Sequence, residues 1–300
     1  MAGAFTTVNL SQLPAPDVVE ALSFETILAA MLADLQARDA TFTALVESDP
    51  AYKILEVAAY RELILRQRVN DAAKGVMLAF ASGTDLDQIG ANYSVARLVL
   101  DPGDATAIPP IDPTYEPDAD FRARIQLSPE GYTSAGSEGS YVFHGLGADG
   151  DVKDIQAVSP TPGQVTVYVL SRTGSGAATP ELINAVEAAL NAEKIRPMTD
   201  QVTVLSASIV NYTITAQLVM YPGPDSTVVL AAAQAAVAAY ADAQRRIGYD
   251  VNLSGIYAAL HQPGVQRVVL TAPTANLTID DGEASYCTAI AVTVAGFTDV

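Results

Sequence analysis

Asp49-Pro50-Ala51-Tyr52-Lys53-Ile54-Leu55-Glu56-Val57-Ala58-Ala59-Tyr60-Arg61-Glu62-Leu63-Ile64-Leu65-Arg66-Gln67-Arg68-Val69-Asn70 begins a stretch, Asp49–Phe80, that reads as one long helix. Asp49 is placed to cap its first turn. Pro50 at the first helical position gives up no hydrogen bond, because that N–H has no intrahelical acceptor. About thirty residues of good helix formers follow without a second proline, enough for a rod of roughly 45 Å.

The charges on this helix are placed oddly for a simple surface element. At 100° per residue, Arg61 and Arg68 share one face, Glu62 and Arg66 another, and Lys53, Glu56, Asp71 and Lys74 a third. Ile54, Leu55, Val57, Leu63, Ile64, Leu65, Val69, Val76, Met77 and Leu78 fill the gaps on nearly every side. A lone surface helix would separate apolar and charged residues into two halves. Two readings stay open on spacing alone: a central helix of the chain's own helical domain, or a strut in a bundle shared with neighbours.

Working outward, Ser23 can cap a shorter helix whose Phe24, Ile27, Leu28, Met31, Leu32 and Leu35 form one apolar stripe. After the long helix, Ser82-Gly83 stops the chain and Thr84-Asp85-Leu86-Asp87 opens a short helix ending near Asn92. Residues 101–117 hold five prolines without periodicity, which reads as an extended, partly mobile linker. Asp118–Leu127 is expected to be a helix with Phe121 and Ile125 inward and Arg122 and Arg124 outward. A further short helix is expected over Ser137–Leu146.

Two α+β units follow. The first has strands at Val152–Val158, Gln164–Leu170 and Gln201–Leu205, with a helix from Pro180 to about Ala192. Its Val165-Thr166-Val167-Tyr168-Val169 alternation is that of a half-buried strand. The second has strands at Ile209–Met220, Val265–Thr271 and Tyr286–Val294, with helices at Ser226–Ile247 and Leu253–His261. The expected fold is therefore multidomain α+β: a helical bundle segment over 1–100, the linker 101–117, and small α+β domains over 118–207 and 208–300.

Composition narrows the function classes. Of 300 residues, 50% are apolar and 17% charged, so the chain folds. The net charge of −18 argues against a nucleic-acid or anionic-membrane partner, since both need a basic face. No run of eighteen apolar residues occurs, so no membrane span is expected. Met1–Thr7 has neither the basic residues nor the apolar core of a signal peptide, which points to synthesis in the cytoplasm. Cys287 is the single cysteine, so neither an internal disulfide nor a cysteine metal cluster is available.

A search for chemistry finds no constellation. Gly145-Leu146-Gly147-Ala148-Asp149-Gly150 matches a dinucleotide-binding pattern, but a helix is expected before it and a strand after it, the reverse of what a phosphate cradle needs. His144 and His261 lack a second ligand type at metal spacing. Cys287 sits mid-strand, where a small packing residue is the simpler reading than a nucleophile. Asp85 with Asp87, and Asp280 with Asp281, read as a helix cap and a turn before they read as metal sites. Ser254-Gly255 and Ser137-Glu138-Gly139 lack the strand–elbow–helix setting of a nucleophilic serine. No catalytic residue, metal or cofactor is expected.

The chain resembles the baseplate J-like family of contractile phage tails, which has relatives in tailocins such as R-type pyocins. The likeness is carried in order by Leu22-Ser23-Phe24-Glu25, Glu47-Ser48-Asp49-Pro50, Glu56–Glu62 and Arg66–Ala72. It continues through Gly83–Gly90, Phe121-Arg122-Ala123-Arg124-Ile125, Arg196-Pro197-Met198-Thr199-Asp200 and Gly264-Val265. The proline-rich segment matches least. The resemblance implies a structural wedge subunit: two copies join one tail protein I-type partner, N-terminal helices of the three chains share a core bundle, and neighbouring α/β domains dimerise. Six wedges then close an iris-like ring that opens as the sheath contracts.

Contacts to a sheath-initiator wedge protein and to the central hub and spike are implied as well, in a virion or tailocin particle assembled in the bacterial cytoplasm. On this resemblance the core-bundle interface would include Phe24, Leu28, Leu32, Glu56, Tyr60, Arg61, Glu62, Arg66, Arg68 and Asn70. A flexible 101–117 segment would let two copies adopt different inter-domain angles. A type VI secretion-like baseplate and an acidic-site metalloenzyme are the alternatives.

Overall fold

The computed structural model describes residues 8–298 except 15, 17, 43, 44, 133–135 and 224; the Met1–Thr7 reading lies outside the described residues. The chain is α+β and falls into two compact units. One runs up to Arg97 and takes in Pro117–Ile125; the other joins Leu98–Glu116 to the chain from Gln126 onward.

In the first unit α1 (Phe24–Arg38) starts at Ser23, whose hydroxyl accepts the Thr26 N–H at 3.3 Å. The long helix α2 (Pro50–Gly75) begins as expected, with Pro50 in its first turn. Asp49 does sit at the N-cap, yet its carboxylate turns back to accept the Val46 N–H at 2.9 Å instead of capping the helix. The expected end at Phe80 is corrected to Gly75. There the next helix, α3 (Gly83–Asn92), approaches so closely that a Cβ on Gly75 would stand 2.8 Å from Asp85 Oδ2. The chain turns through 76–80 and re-enters a helix.

The α1 stripe packs on only one side of α2. Ile27 and Leu28 bury Ala59 between them, with Phe24, Met31, Leu32, Tyr52, Leu55 and Leu63 around the contact. Beyond α3, the first turns of α4 (Asp118–Leu127) return to the same unit, and Phe121 and Ile125 point inward as expected. Arg122 and Arg124 do not point outward. Arg122 donates to the Leu78 and Ala81 carbonyls at 2.7 and 2.6 Å, and the buried Arg124 donates to the Ala96 carbonyl at 2.6 Å. These turns have carbonyls without helical partners, and a guanidinium satisfies them while its stem stays among apolar groups.

Arg97 completes this cluster. It pairs with Asp87 at 2.7 Å and Asp118 at 2.8 Å and lies over the Phe121 ring, 4.7 Å from its centroid. The Gly83 N–H donates to Asp118, and that bond is the main reason the Asp118 carboxyl sits below the usual carboxylate range.

The segment expected to be extended, 101–117, folds back on itself. Strand β1 (Val99–Asp101) pairs antiparallel with β2 (Thr114–Tyr115) across a bulge, and Asp104 bridges Ile111. Gly103, at φ +69°, permits the fold-back, since a Cβ there would meet the Ile111 carbonyl oxygen at 2.3 Å. The buried Glu116 closes the ribbon: its carboxylate accepts the Leu98 N–H, and its own N–H donates to the Leu98 carbonyl.

After α5 (Glu138–Leu146), β3 (Val152–Thr161) and β4 (Gln164–Ser171) form an antiparallel hairpin. α6 (Pro180–Leu190) then crosses over to bring β5 (Gln201–Ser206) parallel to β4. Val167, Val169, Leu182, Val186 and Leu190 are the centre of that core. A second three-stranded sheet has the order β7-β6-β8, built from β6 (Ser208–Met220), β7 (Val265–Ala272) and β8 (Glu283–Phe297). β8 runs parallel to β6 and is longer at both ends than its apolar run announced.

Helices α7 (Ser226–Gln244) and α8 (Leu253–Leu260) cover one face of this sheet, meeting Ile214, Ala216 and Leu218. By length and composition α7 is apolar enough to cross a membrane. It packs as a core helix instead, placing Val229, Ala233, Val237 and Ala241 against the strands.

α7 stops before the expected Ile247 because the Ile247 N–H is bound elsewhere. It donates at 2.9 Å to Asp154 on β3, next to the buried set Leu170, Ala207, Ile247 and Ala284. Gln156 adds a two-way contact, donating to Asp281 and accepting the Gly282 N–H at 2.7 Å. Lys153 pairs with Asp242 across the same seam.

Candidate functional site

Several residues that could have carried chemistry have structural surroundings. The glycine-rich run lies at the C-terminal end of α5, ahead of β3, so its helix presents carbonyls where a phosphate would need N–H groups. Gly145 is there for packing, since a Cβ would overlap Ile155 Cδ1 at 2.4 Å. His144 stacks edge-on against Phe143 at 5.2 Å, and burial pulls its pKa down. His261 caps the C-terminus of α8 through its backbone N–H. Burial pushes the Cys287 thiol up, away from the thiolate a nucleophile needs. Asp87 is tied to Arg97, and Asp281 to Gln156. Among the described residues no group of three or more His, Cys, Asp or Glu is gathered as a metal site would be.

The unusual feature is α2. Its ten associated candidates separate into four environments. Phe24, Leu28 and Leu32 belong to the contact between α1 and α2. Asn70, only 4% exposed, bonds to both main-chain groups of Glu20. Glu56 pairs with Lys53 at 2.8 Å and raises the lysine's pKa. Glu62 and Glu20 both hold Arg66, at 2.6 and 3.0 Å, with Glu62 the stronger influence in raising the arginine's pKa. Tyr60, Arg61 and Arg68 face outward. Neither Arg61 nor Arg68 has an ion pair or hydrogen bond among the described residues.

Around those two arginines lies an apolar face that α1 leaves uncovered. Ile54, Val57, Leu65 and Val69 are 69%, 63%, 65% and 60% exposed, and Ile64 and Tyr60 are exposed beside them. Exposed apolar residues are ordinary singly; a contiguous row on one helix face marks an interaction surface. The row has a seven-residue spacing, with Ile54, Arg61 and Arg68 at one position and Val57 and Ile64 three residues on. That heptad was legible in the sequence. The all-round apolar pattern hid it until α1 was seen to take only the opposite side.

The profile of the Baseplate J-like N-terminal domain matches residues 47–104, that of the central domain residues 133–206, and that of the C-terminal domain residues 212–293. Baseplate protein J of Escherichia phage P2 is 51% identical over 296 residues, an alignment covering 96% of this chain and 98% of that one. A chain in the cryo-EM structure of the anti-feeding prophage (AFP) baseplate aligns over 61% of this chain with 15% identity and a TM-score of 0.40; the alignment spans 44% of that chain's length.

Proposed function

The chain belongs to the Baseplate J-like family, and from that premise we propose that it is a structural component of a contractile phage-tail baseplate. The observation that carries this reading is its 51% identity, over almost the whole of both chains, to a protein named for that assembly. We read the role as mechanical and not catalytic; among the described residues Asp87 and Asp281 are held by internal bonds, and burial disfavours the Cys287 thiolate.

In finer terms, the chain is a wedge subunit. Two copies join one tail protein I-type partner through a core bundle contributed by residues 1–100, and the 101–117 ribbon is followed by α+β domains over 118–207 and 208–300. The last of these dimerises within an iris-like ring of wedges around the hub and spike, beside a sheath-initiator wedge protein, in a particle assembled in the bacterial cytoplasm. The uncovered face of α2, with Tyr60, Arg61 and Arg68 outward, supports a shared bundle. Phe24, Leu28, Leu32, Glu56, Glu62, Arg66 and Asn70 stay in the proposed interface as the layer that fixes α2 against α1.

Co-expression tests this reading. The full chain is produced alone and with the protein I-type product of the same tail gene cluster, and complexes are weighed by native mass spectrometry. A complex of two copies with one partner is expected. A stable monomer that ignores that partner, and is missing from purified tail particles, overturns the reading.

A further inference from the structure

Within the chain, α2 has already sorted its charges. Glu56 is taken by Lys53, and Glu62 and Glu20 share Arg66. Arg61, Arg68 and Lys74 have no ion pair among the described residues, and of these Arg61 and Arg68 lie seven residues apart in the middle of an apolar stripe, on a protein that is otherwise strongly acidic. A solvated helix face has no need of apolar neighbours around its arginines, and a self-contained one would offer them a carboxylate. Arg61 and Arg68 occupy the position that, in a heptad seam, faces the neighbouring helix. Polar residues there cost stability and select register and partner.

We propose that this stripe receives an amphipathic helix of a different protein, whose apolar seam carries carboxylates at two successive heptad positions. Seven residues of helix span about 10 Å, so such a helix sets one carboxylate against each guanidinium. A second copy of this chain is a poor occupant. In parallel register Arg61 and Arg68 would each meet themselves; in antiparallel register four guanidinium groups would be buried with no counter-charge. Like charges brought together in this way oppose self-pairing and favour an unlike chain. The inference rests on the bundle reading above and adds to it the partner's chemistry.

The probe is a designed helical peptide of about four heptads with an Ile/Leu seam and glutamate at two successive seam positions. Its control carries lysine there. Binding to the full chain is read by fluorescence anisotropy. The glutamate peptide is expected to bind at least about tenfold more tightly than the lysine peptide. Arg61→Glu with Arg68→Glu should invert that order, and Arg61→Gln with Arg68→Gln should abolish the preference.

Both arginines are exposed, so far-UV circular dichroism should be unchanged in all variants. No binding of the glutamate peptide, equal binding of the two peptides, or an order unmoved by charge reversal overturns the proposal. So does a dimer of the chain alone that Ile64→Glu dissolves. Particle incorporation keeps the two readings apart. Charge-reversed protein entering tail particles like wild type, with failed peptide binding, removes the charge matching only; wild type entering no particle removes the baseplate reading itself.

Discussion

Asn70 and Glu20 are joined by both main-chain groups of the glutamate: Asn70 Nδ2 donates to the Glu20 carbonyl at 2.9 Å, and the Glu20 N–H donates to Asn70 Oδ1 at 3.0 Å. One amide side chain thus pins the strand-like approach to α1 against the last third of α2. Since Glu20 also reaches Arg66, the anchor settles which charges of α2 are paired at home.

Asn70→Ala leaves a peptide N–H and a carbonyl in a buried setting without partners, and should destabilise the helical unit by about 2–3 kcal/mol. Asn70→Asp keeps the acceptor but loses the donor, and should not restore stability. Thermal unfolding followed at 222 nm checks both. A midpoint unchanged in Asn70→Ala would show that the anchor is dispensable.

Gly90→Ala should be costly although alanine favours helices. Its Cβ would lie 2.5 Å from Phe121 Cζ and 2.7 Å from the Val95 carbonyl oxygen, and backbone gives way less readily than a flexible side chain. About 1–3 kcal/mol of overpacking is expected, against a propensity gain of about 1 kcal/mol. Urea denaturation decides the sign.

Arg97 has a side chain 14% exposed, between two partners that are 42% and 35% exposed. Solvent screening at the carboxylates reduces the loss on Arg97→Ala to about 2 kcal/mol, below the value for a fully buried pair. Hydrogen exchange should show faster amides in α3 and the first turns of α4, while β4 and β6 keep their protection. Uniform loss of protection would mean that the damage is not local.

Asp154 gives a pH signature. Burial raises its carboxyl above the usual 3.8, and the Ile247 N–H, Arg246 and Lys153 only partly oppose that shift. A carboxyl raised in the fold stabilises fully below its unfolded value, and this contribution is lost as pH rises through the folded one. Asp154→Asn keeps an acceptor for Ile247 without the charge. Relative to wild type it should therefore gain stability as pH climbs above the ordinary 3.8 toward the raised folded value. A constant difference between the two proteins across that range would rule out Asp154 as the titrating group. Taking the difference removes the opposing acids, such as Asp118, whose pKa is lowered.

Sequence alone determined the order and kind of nearly every element, because period-3.6 and period-2 patterns, proline at α2's first turn and serine at α1's cap are local effects. It also placed a helix before and a strand after the glycine-rich run and carried the family resemblance, since both depend on the order of residues along the chain. Only the tertiary structure decided where α2 stops, which a close approach at Gly75 sets. It likewise turned Arg122 and Arg124 inward to carbonyls dozens of residues away, and folded 101–117 into a ribbon closed by Glu116. For α2 itself, the residues announced a helix both charged and apolar all round. Which charges pair within the chain, and which face stays open, depended on where α1 and Glu20 come to rest. Those contacts are between residues far apart in sequence, and no local pattern encodes them.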